Sequence, residues 1–512
     1  MPDAVLAIDI GTQSSRAAVL DPEGRLLASA SRPHELAVPR PGWAEQDPDA
    51  WWQATLANVR DVLTQLPVDA ALAAVATCGQ MHGTVPIARD GRLLASAVQL
   101  WCDKRAAGLA DAMAARHDLD GLHRLAGNVP TAAWSGFKMA WMKREQPGLY
   151  DAAWQILTPK DYVNYRLTGV AATDVTEASG SYLMDVASAQ WSPDLIGLLG
   201  LDAAKLPPIH ASSAVIGGVS AEAARLTGLP AGLPVVAGSG DMLCQLLGSG
   251  VSSPGMACDT SGTASIISFY AETPIADRRL MNLHAAGPHW IAFGILDSGG
   301  GAIRWWLDGF GEAEADQGAA YEHLLADAAN VPPGSEGLLC LPYLQGERTL
   351  GSADSRGVFF GFHPQHTRAH ATRALLEGIC FDLRQSLEIV REAGVDVTRM
   401  RTGGGGARSP LWSQIKADVY GMPVAPLRHE EVGILGAAML AMTGAGIVPD
   451  LQAAGRLVAE REPFQPEAVH AARYDQQFAL FRELHDQLQP RFHQAARLAS
   501  GESTQDEAGS TA

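Results

Sequence analysis

Sulfur is scarce in this chain. Six cysteines are spread through 512 residues, with no CxxC pair and no Cys/His cluster, which excludes a disulfide framework and argues against a zinc site. Cys78, Cys102, Cys244, Cys258, Cys340 and Cys380 lie mostly in apolar context and read as buried thiols of a reducing cytoplasm. Long apolar runs are also missing. No stretch is long enough to span a bilayer, and the first apolar run is cut by Asp9 with no basic segment before it, so neither a membrane span nor a signal peptide is expected. Positive charge is in deficit: 38 Lys and Arg against 56 Asp and Glu give a net charge of −18, which speaks against nucleic acid and anionic membranes as partners. A phosphate group would then have to be met locally, by backbone N–H groups or a metal. There is no GxxxxGK[ST], no GxGxxG after a strand in a βαβ unit, no HExxH and no GxSxG in place, which removes P-loop, dinucleotide, zinc-protease and serine-hydrolase readings.

What is present is a soluble globular composition, 47% hydrophobic and 18% charged, in a chain too long for one core. Two domains are expected, at 1–250 and 251–498, with a polar tail at 499–512 in which Gly501 to Ala512 is expected to be disordered. The stretch Pro234 to Gly250 organises the chain. Leu233 to Ala237 predicts a short buried strand, Gly238 and Gly240 break it, and the apolar run after Asp241 predicts a helix. An acid there lies near a helix N-terminus, whose dipole favours its ionised form, among small residues that admit a substrate. Asp241 is therefore a candidate catalytic base; an N-cap aspartate is the alternative.

The chain opens with a strand from Ala4 to Gly11, a turn Thr12-Gln-Ser-Ser15, a strand from Arg16 to Leu20, a turn Asp21-Pro-Glu-Gly24 and a third strand from Leu26 to Ala30. The first turn offers backbone and hydroxyl donors to phosphate, and Asp9 is placed to hold Mg²⁺ directly or through water. An ordinary polar hairpin reads equally well. Met256 to Tyr270 repeats the pattern of strand, acid with Thr/Ser/Gly, and strand. Two phosphate-type hairpins, each opening an α/β domain, predict a duplicated fold with a nucleotide between its halves.

Between these landmarks, Asp47-Pro48 predicts a capped helix to about Gln65. Ala71 to Cys78 predicts a strand emptying into Gly79-Gln-Met-His-Gly83, at the edge where open α/β sheets bind ligands. Gln80 and His82 suit sugar hydroxyls and Met81 a pocket wall, although a lone loop histidine is more often structural. Ala97 to Trp101 predicts a strand leading into Cys102-Asp-Lys-Arg105. Trp101 and Asp103 suit a carbohydrate, by stacking and by hydrogen bonding; a surface salt bridge is the alternative. Residues 106–232 read as mostly helical and flank or lid the sugar pocket. Trp134 to Glu145 looks amphipathic, Thr158-Pro-Lys-Asp161 is a capping box, and Asp174 to Gly180 is loop-like. Further on, Leu341 to Arg348 predicts a strand and loop with a buried charge pair, and Ala374 to Glu392 a long helix. Thr402 to Pro410 is a glycine-rich turn suited to a flat ligand such as adenine. Two phosphate turns, a nucleotide turn and one placed carboxylate fit phosphoryl transfer, which asks mainly for positioning and charge neutralisation.

Motifs along nearly the whole chain resemble those of the FGGY carbohydrate kinases, in the sugar kinase–actin superfamily, and most closely its xylulokinase branch. They are Ile8-Asp-Ile-Gly-Thr12, Trp43-Ala-Glu-Gln-Asp-Pro48, Gly79-Gln-Met-His-Gly83, Pro159-Lys-Asp-Tyr162, the turn at Asp241, Thr260-Ser-Gly262, Leu341 to Thr349, Gly357-Val-Phe-Phe-Gly361 and Gly404 to Ser409. The resemblance implies two duplicated ribonuclease-H-like (actin/hexokinase-type) α/β domains with ATP in a cleft between them. It implies Asp241 as the base, Asp9 near Mg²⁺ and the phosphates, and Met81 and His82, with Gln80, Trp101 and Asp103, against a ketose. Thr12, Gln13, Ser14 and Arg16 of the first hairpin, and Thr260, Gly262 and Thr263 of the second, would serve the ATP phosphates. Gly404, Gly405 and Ala407 would serve the adenosine. The implied reaction is transfer of the ATP γ-phosphate to a ketose, D-xylulose giving D-xylulose 5-phosphate, in a cytoplasmic enzyme that is a candidate homodimer. Four positions depart from the family pattern. Cys102 and Met242 each stand where members carry Asn, Cys258-Asp-Thr-Ser-Gly262 replaces Leu-Gly-Thr-Ser-Gly, and Leu350 replaces Pro. Cys102 and Met242 fall where the sugar is read, so another pentulose, a heptulose or a polyol is the alternative acceptor. A non-catalytic sugar or nucleotide sensor is the alternative of another class.

Overall fold

An apolar run ended by a glycine turn makes Ala4–Ile10 a strand, β1, buried along nearly its whole length. It is seen in a computed structural model that describes residues 4–67, 70–310, 317–347, 352–429 and 431–500. β1 turns back into β2 (Ser14–Leu20) and then β3 (Leu26–Pro33), both pairings antiparallel. Helix α1 (Pro48–Gln65) starts where the Asp-Pro signal places it, with Asp47 accepting the Asp49 N–H at 2.9 Å. Its Trp51 and Trp52 are fully buried in the core with Ile8, Val19 and Val75, so the apolar helix face covers one side of the sheet. β4 (Leu72–Gly79) pairs with β1 in parallel.

Helices α2 (Ser135–Glu145), α3 (Pro159–Thr168) and α4 (Val175–Ser179) follow, then β5 (Val215–Gly218) and β6 (Pro234–Gly240), which leads directly into α5 (Asp241–Gly248). The sheet order is β5-β6-β4-β1-β2-β3. β6 runs parallel to β4, with a register shift between Val236 and Ser239, and Gly238 there has φ of 74°.

Further along the chain lie β7 (Met256–Ser261), β8 (Ser265–Ala271), α6 (Gly299–Phe310), α7 (Gln317–Ala329), α8 (Arg368–Glu392), β9 (Arg399–Gly403), α9 (Pro410–Tyr420) and β10 (Val424–Pro426). The neighbours β8-β7-β9-β10 repeat β2-β1-β4-β6: an antiparallel hairpin, then two parallel strands. This is the duplicated α/β architecture that the two hairpins predict. Helix α10 (Val432–Gly444), apolar all round, returns to the first sheet and packs on α5. A side chain at Gly436 would lie 1.9 Å from the Cys244 carbonyl oxygen, so the two helices meet at backbone distance.

The chain divides into two compact units. The first draws its described residues from Met1–Pro254, Tyr270–Ala292 and His429–Ala459, and the second from Gly255–Phe269, Phe293–Arg428 and Glu460–Ala512. Among the described residues no helix is long and apolar enough to cross a membrane.

Several local expectations change. Asp174 to Gly180 is not a loop: its polar side chains are buried, and Asp174 caps α4 by accepting the Thr176 N–H at 3.0 Å. Thr158 makes no capping bond to backbone; its hydroxyl donates to Asp161 Oδ2 at 2.8 Å. Only Val98–Gln99 of the 97–101 segment is strand, paired with Glu45–Gln46. Helix α8 begins at Arg368 rather than Ala374. Arg348 of the expected charge pair and the 501–512 tail lie outside the described residues.

Candidate functional site

The register shift in β6 decides where Asp241 points. A bulge breaks the ladder and re-aims the strand end, and the backbone groups it frees must find other partners. Side chains of α3 and α4 supply them. The Ala237 carbonyl accepts from Asn164 Nδ2 at 2.8 Å and Lys160 Nζ at 3.2 Å, and Gly240 N donates to Thr176 Oγ1 at 3.1 Å. Lys160 is fully buried and neutralised by Asp161 at 2.5 Å and Asp174 at 3.0 Å. The polar cluster behind β6 therefore fixes the turn that carries Asp241.

Asp241 occupies the first turn of α5. Its Oδ1 accepts the Met242 N–H at 2.7 Å, which leaves Oδ2 for a ligand. Burial raises its pKa to about 7, and the negative charge of Asp9 adds to the rise. Asp9, at the end of β1, is also raised by burial, opposed by the neighbouring Cys78 thiol and the Arg16 guanidinium. Its buried Oδ1 has no hydrogen-bond partner among the described residues. Asp9 is in register with Cys78 on β4, and Cys78 with Ser239 on β6. Two strand spacings thus separate Asp9 from the strand leading to Asp241, roughly 10 Å between backbones.

Met81 and His82 close on this edge. A Cβ at Gly240 would lie 2.6 Å from Met81 Sδ, and one at Gly180 2.7 Å from His82 Cε1. Both glycines are needed for the loop to approach. His82 has φ of 65°, rare for a residue with a side chain, and its ring meets Trp134 edge-on at 5.1 Å. Burial, with Lys138 nearby, lowers its pKa to about 3, so the ring is neutral. Among the described residues its buried Nδ1 has no partner in good hydrogen-bond geometry, although the Gly180 backbone lies beside the ring.

Other expected residues make bonds within the protein. Gln80 is bonded at both ends of its amide: its Oε1 accepts from Thr12 Oγ1 at 3.2 Å and its Nε2 donates to Gln46 Oε1 at 2.9 Å. Trp101, 46% exposed, donates Nε1–H to Thr12 Oγ1 at 3.1 Å. Gln80 and Trp101 thus brace the Thr12 turn, which Gly11 N closes onto Ser14 O at 3.0 Å. Asp103 is buried, and both its oxygens are taken by the Ala44 N–H at 2.7 Å and by Arg105. Arg105 lies 3.5 Å over the Trp43 ring and bonds Glu45 at 2.6 Å. The pair sits inside the unit rather than on its surface. Gln13 is exposed at the turn, and Arg16 pairs with Glu431.

In the second unit a cavity of about 880 Å³ is lined by Gly262, Thr263 and Gly405 of the expected set, together with Ser261, Gly300, Gly301 and Tyr321. Thr260, Gly404 and Ala407 are not among its lining residues. Gly300 N and Gly301 N donate to Gly262 O and Thr263 O, each at 2.9 Å, joining the start of α6 to the second hairpin turn. The acid of that hairpin does not resemble Asp9 in its surroundings. Asp259 is fully buried and accepts from Lys416 Nζ at 2.9 Å and Tyr420 OH at 2.6 Å.

Sequence reasoning missed Lys138, Trp134 and the Gly299–Gly301 run. Lys138 is fully buried on α2, with its pKa lowered to about 7 by burial. A lysine flanked by Phe137 and Met139 was a usable signal, since a buried charge asks for a reason. Three successive glycines opening a helix were another.

The chain matches the model of the FGGY family of carbohydrate kinases twice, its N-terminal domain over residues 4–248 and its C-terminal domain over 257–445. It is 32% identical over 488 residues to a xylulose kinase of Bacillus subtilis, covering 94% of this chain and 96% of that protein. The crystal structure of a xylulose kinase from Rhodospirillum rubrum superposes with a TM-score of 0.90 at 32% identity, covering 96% of this chain and all of that one. A Plasmodium falciparum glycerol kinase with ADP shares the fold at 21% identity, with a TM-score of 0.87 over 95% of this chain and 99% of that one.

Proposed function

This chain belongs to the FGGY family of carbohydrate kinases and is an ATP-dependent sugar kinase, and we propose that its acceptor is D-xylulose, phosphorylated to D-xylulose 5-phosphate. The observation that carries the chemistry is Asp241: a carboxylate with one oxygen held by backbone and the other available, beside the Met81–His82 loop. Its Oδ2 takes the proton of the sugar hydroxyl as that oxygen attacks the γ-phosphorus and the bond to ADP breaks. A pKa near 7 suits proton transfer at neutral pH. The neutral His82 ring fixes the sugar through hydrogen bonding, and Met81 supplies an apolar wall.

Gly262, Thr263 and Gly405 line the cavity that suits ATP. The Thr12 turn, with Gln13, Ser14 and Arg16, serves the phosphates, and Gly404 and Ala407 belong to the same adenosine-binding turn. Thr260 supports the second phosphate hairpin. Asp9 fits Mg²⁺: it presents a buried carboxylate oxygen without a protein partner, a hard donor of the kind that ion takes. Mg²⁺, when bound, neutralises phosphate charge. Asp103, through Arg105, holds the wall of the sugar site rather than the sugar. A cytoplasmic homodimer is the assembly we propose.

The test is ADP release with Mg-ATP across D-xylulose, L-xylulose, D- and L-ribulose, D-fructose, sedoheptulose and polyols. D-xylulose should give the highest kcat/KM, and the Asp241→Ala variant should lose about 10²- to 10⁴-fold in kcat while still binding sugar. Cys102 and Met242 support a second acceptor, because a thiol and a thioether replace amides that would hydrogen-bond a hydroxyl. A different leading sugar would establish that reading. No turnover of any sugar would overturn the kinase assignment.

A further inference from the structure

The second unit carries a cluster of histidines that phosphoryl transfer does not use. His363-Pro-Gln-His366 closes a tight turn, with His366 N donating to His363 O at 3.0 Å. Proline at the second position presets that turn. The two rings therefore leave the same side of the backbone, their centroids 3.6 Å apart. Opposite them stands Glu336. One ligand atom from each of Glu336, His363 and His366 lies within 4.8 Å of the other two. His370, one turn into α8, approaches Glu336 Oε2 with Nε2 at 3.4 Å.

The backbone that carries Glu336 is held in place. Ser335 and Glu336 have φ of 47° and 52°, a conformation that side chains avoid unless the surroundings impose it. Glu377 of α8 imposes it, accepting from Gly334 N at 2.9 Å and Ser335 Oγ at 2.8 Å. Arg373 and Tyr474 hold Glu377 in turn, each at 2.8 Å. The helix that carries His370 thus also fixes the turn that presents Glu336. Among the described residues His366 Nε2 meets no partner in good hydrogen-bond geometry, although the Glu336 backbone lies beside the ring.

We propose that Glu336, His363 and His366 bind a divalent transition-metal ion of the zinc class, with His370 orienting Glu336 from behind. Two imidazoles and a carboxylate suit Zn²⁺, Ni²⁺ or Co²⁺ and not Mg²⁺, which prefers oxygen ligands and retains water. A carboxylate held by a second histidine is the outer-shell arrangement that strengthens such sites. Coordination through Nε2 puts the ring proton on Nδ1. It gives up the contacts that His363 N and Gln365 N make to the two Nδ1 atoms at 3.1 and 3.3 Å, which are long ones. None of these residues lines the nucleotide cavity or belongs to the set around Asp241.

The experiment is calorimetric titration of the full-length, chelator-stripped protein with ZnCl₂, paired with CoCl₂ titration read by visible absorption. One equivalent should bind per chain. His366→Ala should weaken binding by about 100-fold, and His370→Ala by about 10-fold or more, the range for outer-shell partners. Glu336→Gln should shift the Co²⁺ spectrum and weaken binding by about 10-fold. Every variant should keep full sugar-kinase turnover with Mg-ATP, which confirms that it is folded. Absence of a stoichiometric Zn²⁺ site in the wild type would overturn the proposal. So would binding that survives the His363→Ala/His366→Ala double variant.

Discussion

Replacing Asp241, the proposed base, should make the first unit more stable, and only at high pH. Asp241 has its pKa raised from 3.8 to about 7, because it is buried at the sheet edge and shares that edge with Asp9. Below pH 3.8 the carboxyl is protonated in both the folded and the unfolded chain, and its burial has no electrostatic penalty. Between pH 3.8 and about 7 the unfolded chain gives up this proton while the folded chain keeps it, so stability falls through that window. Above about pH 7 the loss is complete. At 1.36 kcal/mol per pK unit the ceiling is about 4 kcal/mol, and because Asp241 retains some solvent contact, about 2 to 4 kcal/mol is the working range. Asn keeps the shape and still accepts the Met242 N–H, but carries no charge. Asp241→Asn should therefore match the wild type near pH 4 and exceed it by about 2 to 4 kcal/mol at pH 8, while kcat collapses. Urea unfolding followed by tryptophan fluorescence reads this unit well, since nine of the twelve tryptophans belong to it. A stability gap that is the same at pH 5 and pH 8, or a variant less stable than wild type at pH 8, would refute the electrostatic account of Asp241.

Three further outcomes are expected. Gly436→Ala puts a methyl 1.9 Å from the Cys244 carbonyl oxygen, a backbone contact that cannot yield locally. It should destabilise by more than about 3 kcal/mol, at the upper end of overpacking, and an unchanged melting temperature would contradict the close packing of α5 on α10. Gly240→Ala meets the flexible Met81 side chain at 2.6 Å. The protein should fold but show about a 5- to 50-fold higher KM for sugar, equivalent to 1–2 kcal/mol or somewhat more, with the KM for ATP steady; parallel changes in both would place Met81 outside the sugar site. Met242→Asn should change the ratio of kcat/KM between two ketoses by about tenfold or more, and a constant ratio across the sugar panel would remove Met242 from specificity.

The elements most legible in the sequence are those written locally. Asp47-Pro48 starts a helix because a cap and a preset φ act within a few residues, and the Gly-flanked Asp241 reads as a strand-to-helix turn for the same reason. The β1–β2 and β7–β8 hairpins are visible as two copies of one pattern. What stayed hidden depends on distant partners. Asp174 to Gly180 looks like a loop because it is polar, yet Lys160, Ser212 and Ser239 hold Asp174 and Thr176 from remote positions. Asp103 resembles a sugar ligand until Ala44 and Arg105 are seen to occupy it. Gln80 and Trp101 suit a sugar by residue type, and the structure adds bonds to Thr12, some 70 to 90 residues earlier. Asp259 shows the limit of motif resemblance: the same strand position as Asp9, with Lys416 cancelling its charge.

The route of the chain sets an order on its own assembly. Helix α10, which completes the packing around α5, is made of residues 432–444, about 190 positions after Asp241. A ribosome adding 5 to 20 residues per second needs roughly 10 to 40 s to cover that interval. Throughout it, the face of β1, β4 and β6 that α10 will cover stays open, while most of the second unit is made. The nascent first unit therefore emerges early but cannot close early. The Asp241 carboxylate takes its final setting only when nearly the whole polypeptide has left the ribosome. A message truncated between codons 408 and 432 would yield a chain with every residue assigned to phosphoryl transfer and no finished site to hold them, with an apolar sheet face exposed to aggregation.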